Sequence, residues 1–226
     1  MRENGLLPTV IRAGKANLFL SDVFASAFVN ATKAPVELYA CDGSIGAAIG
    51  AGLGGGSSDA SYFIRLLNQK FGLGMENSQM ESYASKIGSD CAFFIQNKPA
   101  YAIEKGDQLS PLDLDLSNYF FVLVMPDVQV STAEAYQGVR ASPVSAPLTE
   151  LIKLPIEDWK LHVKNDFEPS VFSKYPAIAR IKAELYGAGA LYASMSGSGS
   201  SVYGIFKEAL KLPQLEKENK VYYVID

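Results

Sequence analysis

The sequence predicts an α+β protein. Amphipathic helical patterns and short apolar strand patterns mix along the whole chain of 226 residues. They do so without the regular strand–helix–strand period that builds a doubly wound parallel sheet. A composition of 48% hydrophobic and 19% charged residues is that of an ordinary globular protein, and a chain of this length can bury a substantial core as one large domain or as two small ones sharing a cleft.

The elements follow in order. Residues 57–71 set Ala60, Phe63, Ile64, Leu67 and Phe71 on one helical face, with Ser57 or Ser58 as the cap. A second helix is expected from Ser78, with Glu81 completing a capping box, Met80, Tyr83, Ala84 and Ile87 turned inward, and Gly88 as the stop. The runs Ala92–Ile95 and Tyr119–Met125 are short and rich in aromatic or aliphatic residues, and both read as buried strands. Residues 141–148, rich in Ser, Pro and Ala, read as a linker that divides the chain into lobes at 1–140 and 141–226. Past the linker a helix is expected over Pro176–Tyr186, with Ile178, Ile181 and Leu185 inward. Strands follow over Ala190–Met195, Val202–Phe206 and Val221–Ile225, the first two joined by a turn at Ser196–Ser201. The sequence contains no internal repeat.

Charge and composition narrow the function. A formal net charge of -4 and a pI near 5.2 disfavour a protein that binds through a broad basic surface, so nucleic acid is not an expected partner. The two cysteines, Cys41 and Cys91, make neither a zinc ribbon nor a disulfide framework, and a reducing, cytoplasmic setting is the simplest expectation. A single histidine, His162, leaves no His-rich metal cluster and reads as a partly exposed helix residue. The first residues lack a basic segment followed by a long apolar run, and no stretch reaches transmembrane length, so neither a signal peptide nor a membrane partner is expected.

The strongest local signal is the run Gly50, Ala51, Gly52, Leu53, Gly54, Gly55, Gly56, Ser57, Ser58, Asp59, Ala60, in which glycines lead directly into a helix. Glycine lets backbone amides come close to a ligand, and a helix start offers unpaired N–H groups with a partial positive charge, so the pattern suits an anion and above all a phosphate. A Walker loop is excluded because no lysine follows Gly56. Gly50, Gly52 and Gly55 match a dinucleotide fingerprint, with Glu76 at the distance of a ribose-binding acid, but Glu76 sits in a loop between two helices rather than at a strand end. A flexible glycine loop with no ligand is the remaining reading.

The run from Gly50 to Ala60 resembles the second motif of the GHMP kinases, in the form carried by members that act on a cytidine diphosphate-linked methylerythritol. Ile87–Ile95 is similar to the segment that holds the family's catalytic aspartate, and Met195–Tyr203 to its C-terminal glycine motif. Pro126 with Val130–Thr132, and Asn165–Glu168, fit the same pattern, as does the opening segment Ala13–Leu20 with its lysine beside an Asn-Leu pair. The resemblance implies a two-lobed fold, with a ribosomal protein S5-like N-terminal lobe, here abbreviated, and a ferredoxin-like C-terminal lobe. It implies a small-molecule kinase using ATP and Mg²⁺ to phosphorylate the 2-hydroxyl of the erythritol part, in non-mevalonate isoprenoid synthesis. Amides of Gly52 to Ser58 would then cradle the phosphates, with a Ser57 or Ser58 hydroxyl on a phosphate oxygen or Mg²⁺. Asp90 would accept the substrate's proton, Lys15 would orient Asp90 and offset developing charge, and Asn17 would touch the substrate.

The family's Asp-Gly-Tyr-His segment, which grips the cytidine part, has no counterpart after Leu20. The stretch from Leu20 to Gly50 is also shorter than the family's, and Cys41–Ala48 replaces its basic-then-proline approach to the loop. Two readings follow, a working kinase and a catalytically silent relative of one.

Overall fold

The computed structural model describes residues 9–13, 16–20, 51–103, 106, 108–139 and 146–224. Two antiparallel sheets of four strands organise them. The first is a meander of β1 (Thr9–Ala13), β2 (Ala16–Leu20), β3 (Ala100–Ile103) and β4 (Gln108–Pro111), in that spatial order. Its registers set Ala13 opposite Ala16, Leu18 opposite Tyr101, and Tyr101 opposite Ser110. Between β2 and β3 in the chain lie the helices α1 (Gly55–Phe71), α2 (Asn77–Ile87) and α3 (Phe93–Gln96).

The second sheet contains β5 (Phe120–Pro126), β6 (Tyr192–Met195), β7 (Val202–Phe206) and β8 (Asn219–Val224), in the spatial order β6-β7-β5-β8. Numbered along the chain as first to fourth, these strands read 4-1-3-2 from the β8 edge, which is the split βαβ arrangement of a ferredoxin-like lobe. Helices α4 (Thr132–Gly138), α5 (Leu148–Leu151), α6 (Ile156–His162), α7 (Glu168–Lys174) and α8 (Pro176–Gly187) fill the crossover from β5 to β6. A short α9 (Pro213–Glu216) joins β7 to β8. The change of sheet falls between β4 and β5, ahead of the expected division at residue 140, and residues 141–145 of the expected linker lie outside the described residues.

The continuous apolar run of β5 has a physical reason, since both faces of the strand are covered. Phe121 and Leu123 point into a core shared with Leu53, Phe93, Phe94, Trp159, Tyr192 and Tyr203. Phe120, Val122 and Val124 point the other way, against Val171, Ile178, Ile181 and Leu185 of α7 and α8. The first of these cores holds the loop before α1 against the second sheet, so it fixes the two halves of the chain to each other. A smaller cluster of Ile64, Met80, Ala84, Cys91 and Ile95 ties α1, α2 and α3 together.

Several sequence expectations need correction. Ala92–Ile95 is not a strand: Phe93–Gln96 is one helical turn, closed where Asn97 takes a left-handed conformation (φ 55°) and donates its N–H to Phe93 O. Four apolar residues buried on several sides carry no period that separates helix from strand. Ser57 and Ser58 do not cap α1, because left-handed Gly54 (φ 67°) starts the helix one turn earlier and places both serines inside it. The capping box of α2 belongs to Glu76 and Gln79 rather than to Ser78 and Glu81. Of the predicted inward residues, Phe63, Phe71, Tyr83 and Ile87 are exposed, so the buried stripes are narrower than the period suggests. The helix at Pro176, with Ile178, Ile181 and Leu185 buried, and the strand Val202–Phe206 stand where expected, and the strands at 190–195 and 221–225 differ only at their ends.

The shared core predicts a contrast in stability. Leu123→Ala, at the buried face between the two halves, is expected to lower unfolding free energy by about 2–5 kcal/mol, whereas Leu161→Ala, on an exposed side chain, should change it by no more than about 0.5 kcal/mol. Urea unfolding followed by circular dichroism measures both.

Candidate active site

The site begins with glycines in left-handed conformations at a close approach of two backbones. Gly52 has φ 74°, and a Cβ there would stand 2.1 Å from Ser196 O and 2.8 Å from Gly199 O. Gly197 (φ 52°) meets the same contact from the other side, its Cβ position lying 3.1 Å from Gly52 O. The glycine run before α1 and the glycine turn between β6 and β7 therefore pack backbone to backbone. Two hydrogen bonds join them: Ser201 N–H donates to Ala51 O at 3.0 Å, and Ser196 Oγ donates to Gly52 O at 2.8 Å. Within the turn, Ser196 N–H donates to Ser201 O and Gly199 N–H to Ser196 O.

This seam aims the start of α1. Gly54 is the left-handed residue before the first turn, its carbonyl accepts from Ser58 N–H at 2.9 Å, and the amides of the first turn have no partner within the helix. No acidic side chain occupies that turn to compete for the positive end of the helix dipole. Gly56 is exposed, with open space where a Cβ would stand, while Gly55 and Ser58 on either side of it are buried.

Asp90 is brought to the same end of α1. The one hydroxyl proton of buried Ser61 is shared between Cys91 O at 2.6 Å, the shorter contact, and Ser57 O at 2.9 Å, pinning the loop that carries Asp90 beside the first turns of the helix. The Cys91 thiol also bonds the Ser57 hydroxyl, which tempers the upward push that burial gives its pKa. Burial raises the Asp90 carboxyl above the ordinary aspartate range, and the Ser89 hydroxyl, donating to Oδ1 at 3.2 Å, acts in the opposite direction. Asp59 in α1 is likewise raised by burial.

The structure thus brings together the loop from Ala51 to Ser58, Asp90 and the turn Gly197–Ser201. Lys15 and Gly50 lie outside the described residues. Asn17 is described by its backbone, in register with Arg12 and Ala102. Glu76 caps α2 beyond the far end of α1, a helix of 17 residues or about 25 Å, which removes it as a ribose-binding acid for this loop. His162 ends α6 on an exposed position, away from any role here.

Sequence reading assigned no role to Asn165, Glu168 or Ser196, which build the seam. Asn165 donates to Met195 O and Gly197 O, and Glu168 accepts from Met195 N–H. The signal that could have found Asn165 and Glu168 was their place in the Asn-Asp-Phe-Glu segment, polar residues among apolar ones ahead of a helix. Among the described residues, no group of three or more His, Cys, Asp or Glu side chains could hold a metal ion.

Known proteins match both halves of the chain. The model of the GHMP kinases N terminal domain matches residues 18–98, and that of the GHMP kinases C terminal matches residues 150–222. A protein of Bacteroides fragilis named 4-diphosphocytidyl-2-C-methyl-D-erythritol kinase is 50% identical over 169 residues, covering 75% of this chain and 62% of that protein. One of the same name from Parabacteroides distasonis is 52% identical over 159 residues, covering 70% and 59%. The chain thus spans about three fifths of the length of the curated relatives it matches. A crystal structure of 4-(cytidine 5'-diphospho)-2C-methyl-D-erythritol kinase superposes with a TM-score of 0.72 at 19% identity, covering 99% of this chain and 98% of that one. A homoserine kinase from Cytophaga hutchinsonii superposes at 0.55 with 15% identity, covering 97% and 93%. Both family domains are present in order, on the fold that solved members share, and this chain belongs to the GHMP kinases.

Proposed function

We propose that this chain is an ATP-dependent kinase that phosphorylates the 2-hydroxyl of 4-diphosphocytidyl-2-C-methyl-D-erythritol, a step of non-mevalonate isoprenoid synthesis. The observation that carries the reaction type is the glycine loop at the start of α1, seated on a second glycine turn and with Asp90 held to the same helix end. The substrate follows from the name of relatives about 50% identical to this chain. In this reading residues 1–140 carry the ATP-binding lobe and 141–226 the C-terminal lobe, with β5 crossing over to complete the second sheet.

Phosphoryl transfer needs alignment and charge neutralisation more than covalent help from the protein. Backbone amides from Gly50 through Ser58 receive the phosphates of ATP, where the helix dipole and bare amides favour negative charge. The hydroxyls of Ser57 and Ser58 would hold a phosphate oxygen or Mg²⁺, and a Mg²⁺ ion bound with the nucleotide would neutralise phosphate charge. Asp90 takes the proton of the attacking hydroxyl, and a base raised by burial is better matched to that task than an ordinary aspartate. Lys15 orients Asp90 and offsets the charge that develops on the transferred phosphoryl group, and Asn17 contacts the substrate. The reading is of a cytoplasmic enzyme acting on a small molecule; among the described residues no helix is long and apolar enough to cross a membrane.

Asp90→Asn is expected to lower kcat about 10²–10⁴-fold with Mg-ATP and the diphosphocytidyl substrate. Its stability should not fall. An Asp whose folded pKa lies above its unfolded value is penalised in the folded state at neutral pH while it is ionised, and a neutral Asn removes that cost. A thermal melt with product analysis reads both, and product formed at the native rate by Asp90→Asn rejects Asp90 as the base.

The pH profile gives a second expectation. Activity needs ionised Asp90, so the acid limb of kcat/KM should lie above the ordinary aspartate range of about 3.9. Ser89→Ala deletes the hydrogen bond that favours the ionised form and should move this limb to higher pH, leaving the plateau rate intact. A limb that stays fixed or moves down contradicts the assignment.

A further inference from the structure

Asn165 is 1% exposed, and its side-chain amide is spent on backbone. Nδ2 donates to Met195 O and to Gly197 O, both at 2.8 Å, while Oδ1 accepts from Phe167 N–H at 3.0 Å. One planar group thereby spans the entry and the apex of the turn between β6 and β7. Glu168 holds the same strand end from the next atom along, for its Oε1 accepts from Met195 N–H at 2.9 Å and from Ser194 Oγ at 3.3 Å. Its Oε2 accepts from Lys182 Nζ at 2.6 Å, which anchors the carboxylate to α8. Met195 is therefore fixed at both its N–H and its C=O by a segment 27 to 30 residues earlier in the chain.

The turn so held is the surface on which the phosphate loop rests. Gly197, whose carbonyl Asn165 captures, faces Gly52 O, and Ser196, the residue between the two captured carbonyls, donates to Gly52 O at 2.8 Å. We propose that Asn165 is a positioning residue of the phosphate site, which fixes the shape of the 196–201 turn and through it the placement of the Gly52 loop, without touching the nucleotide itself. The inference rests on the kinase reading above. It differs from a merely structural role because its effect falls on phosphate binding through hydrogen bonds donated by one amide group, and misplacement of a binding loop by a fraction of an ångström is costly.

Asn165→Asp keeps the size and the acceptor for Phe167 N–H but loses both N–H donors. Isothermal titration with Mg²⁺ and a non-hydrolysable ATP analogue, on wild type and on variants that retain cooperative unfolding, should show binding weakened about 10- to 100-fold. As the pH is lowered from about 8 to about 5.5, the buried carboxyl takes up a proton and regains one O–H donor, so its deficit relative to wild type should shrink. Asn165→Ala should show no such recovery. Wild-type affinity in Asn165→Asp, or a deficit that is independent of pH and equal to that of Asn165→Ala, overturns the proposal. Where Asn165→Asp fails to fold, Ser196→Ala decides: severalfold weaker binding supports the proposal, and unchanged binding overturns it. Wild-type protein that binds no nucleotide overturns the kinase reading and this inference together, whereas normal wild-type binding with unaffected variants overturns this inference alone.

Discussion

The close approach of Gly52 to the turn at Ser196–Gly199 is the constraint on which the rest of the site depends. Two stretches 144 residues apart in the chain meet backbone to backbone, joined in part by the Ser196 hydroxyl, and the 2.1 Å left for a Cβ at Gly52 excludes every other residue type. Positive φ at Gly52, Gly54, Gly197 and Gly199 gives both stretches the curvature that brings their carbonyls and amides into register. The start of α1 is thereby aimed by the second sheet as well as by its own helix. Because Leu53 is buried in the core shared with Phe121 and Leu123, the loop is gripped on its side-chain face as well as its backbone face.

The electrostatics follow from that placement. On the proposed kinase reading, a chain with net charge -4 gains little from its overall field in attracting a triphosphate, so attraction has to be local. The amides without a helical partner and the positive end of α1 would supply it, and the first turn carries no acid to cancel it. Asp90 shares this end of the helix through the Ser61 bridge, yet burial works against its ionisation. Such a carboxyl is costly to keep charged and correspondingly more basic, which suits the role of proton acceptor proposed for it. The cost is a stability concession of the kind active sites commonly carry.

Much of this was legible in the residues. The glycine run stands at the start of a helix, as its residues indicated, and it packs against the later glycine turn that the resemblance had set in the same family pattern. The 3.6-residue period found α1 and α8, and the doubly covered β5 showed as an unbroken apolar run. Local pattern failed where a few residues are buried from several directions, as at Phe93–Ile95, which the core accepts as a single helical turn. It also misplaced caps, because Gly54 and Glu76 start their helices through backbone conformation and a Glu–Gln exchange rather than through a serine. Asn165 and Ser196 were read only as parts of motifs, since their partners lie 30 and 144 residues away in the chain and no local rule reports a contact at such range.

Hydrogen exchange on the native protein, with and without Mg-ATP, tests most directly whether the glycine loop receives the nucleotide. Peptides covering residues 51–58 and 196–201 should both exchange more slowly when nucleotide is bound, the first by direct capture of its amides and the second because the seam tightens with it. Bound nucleotide, established by calorimetry, with unchanged exchange across 51–58 would mean that the phosphates sit elsewhere.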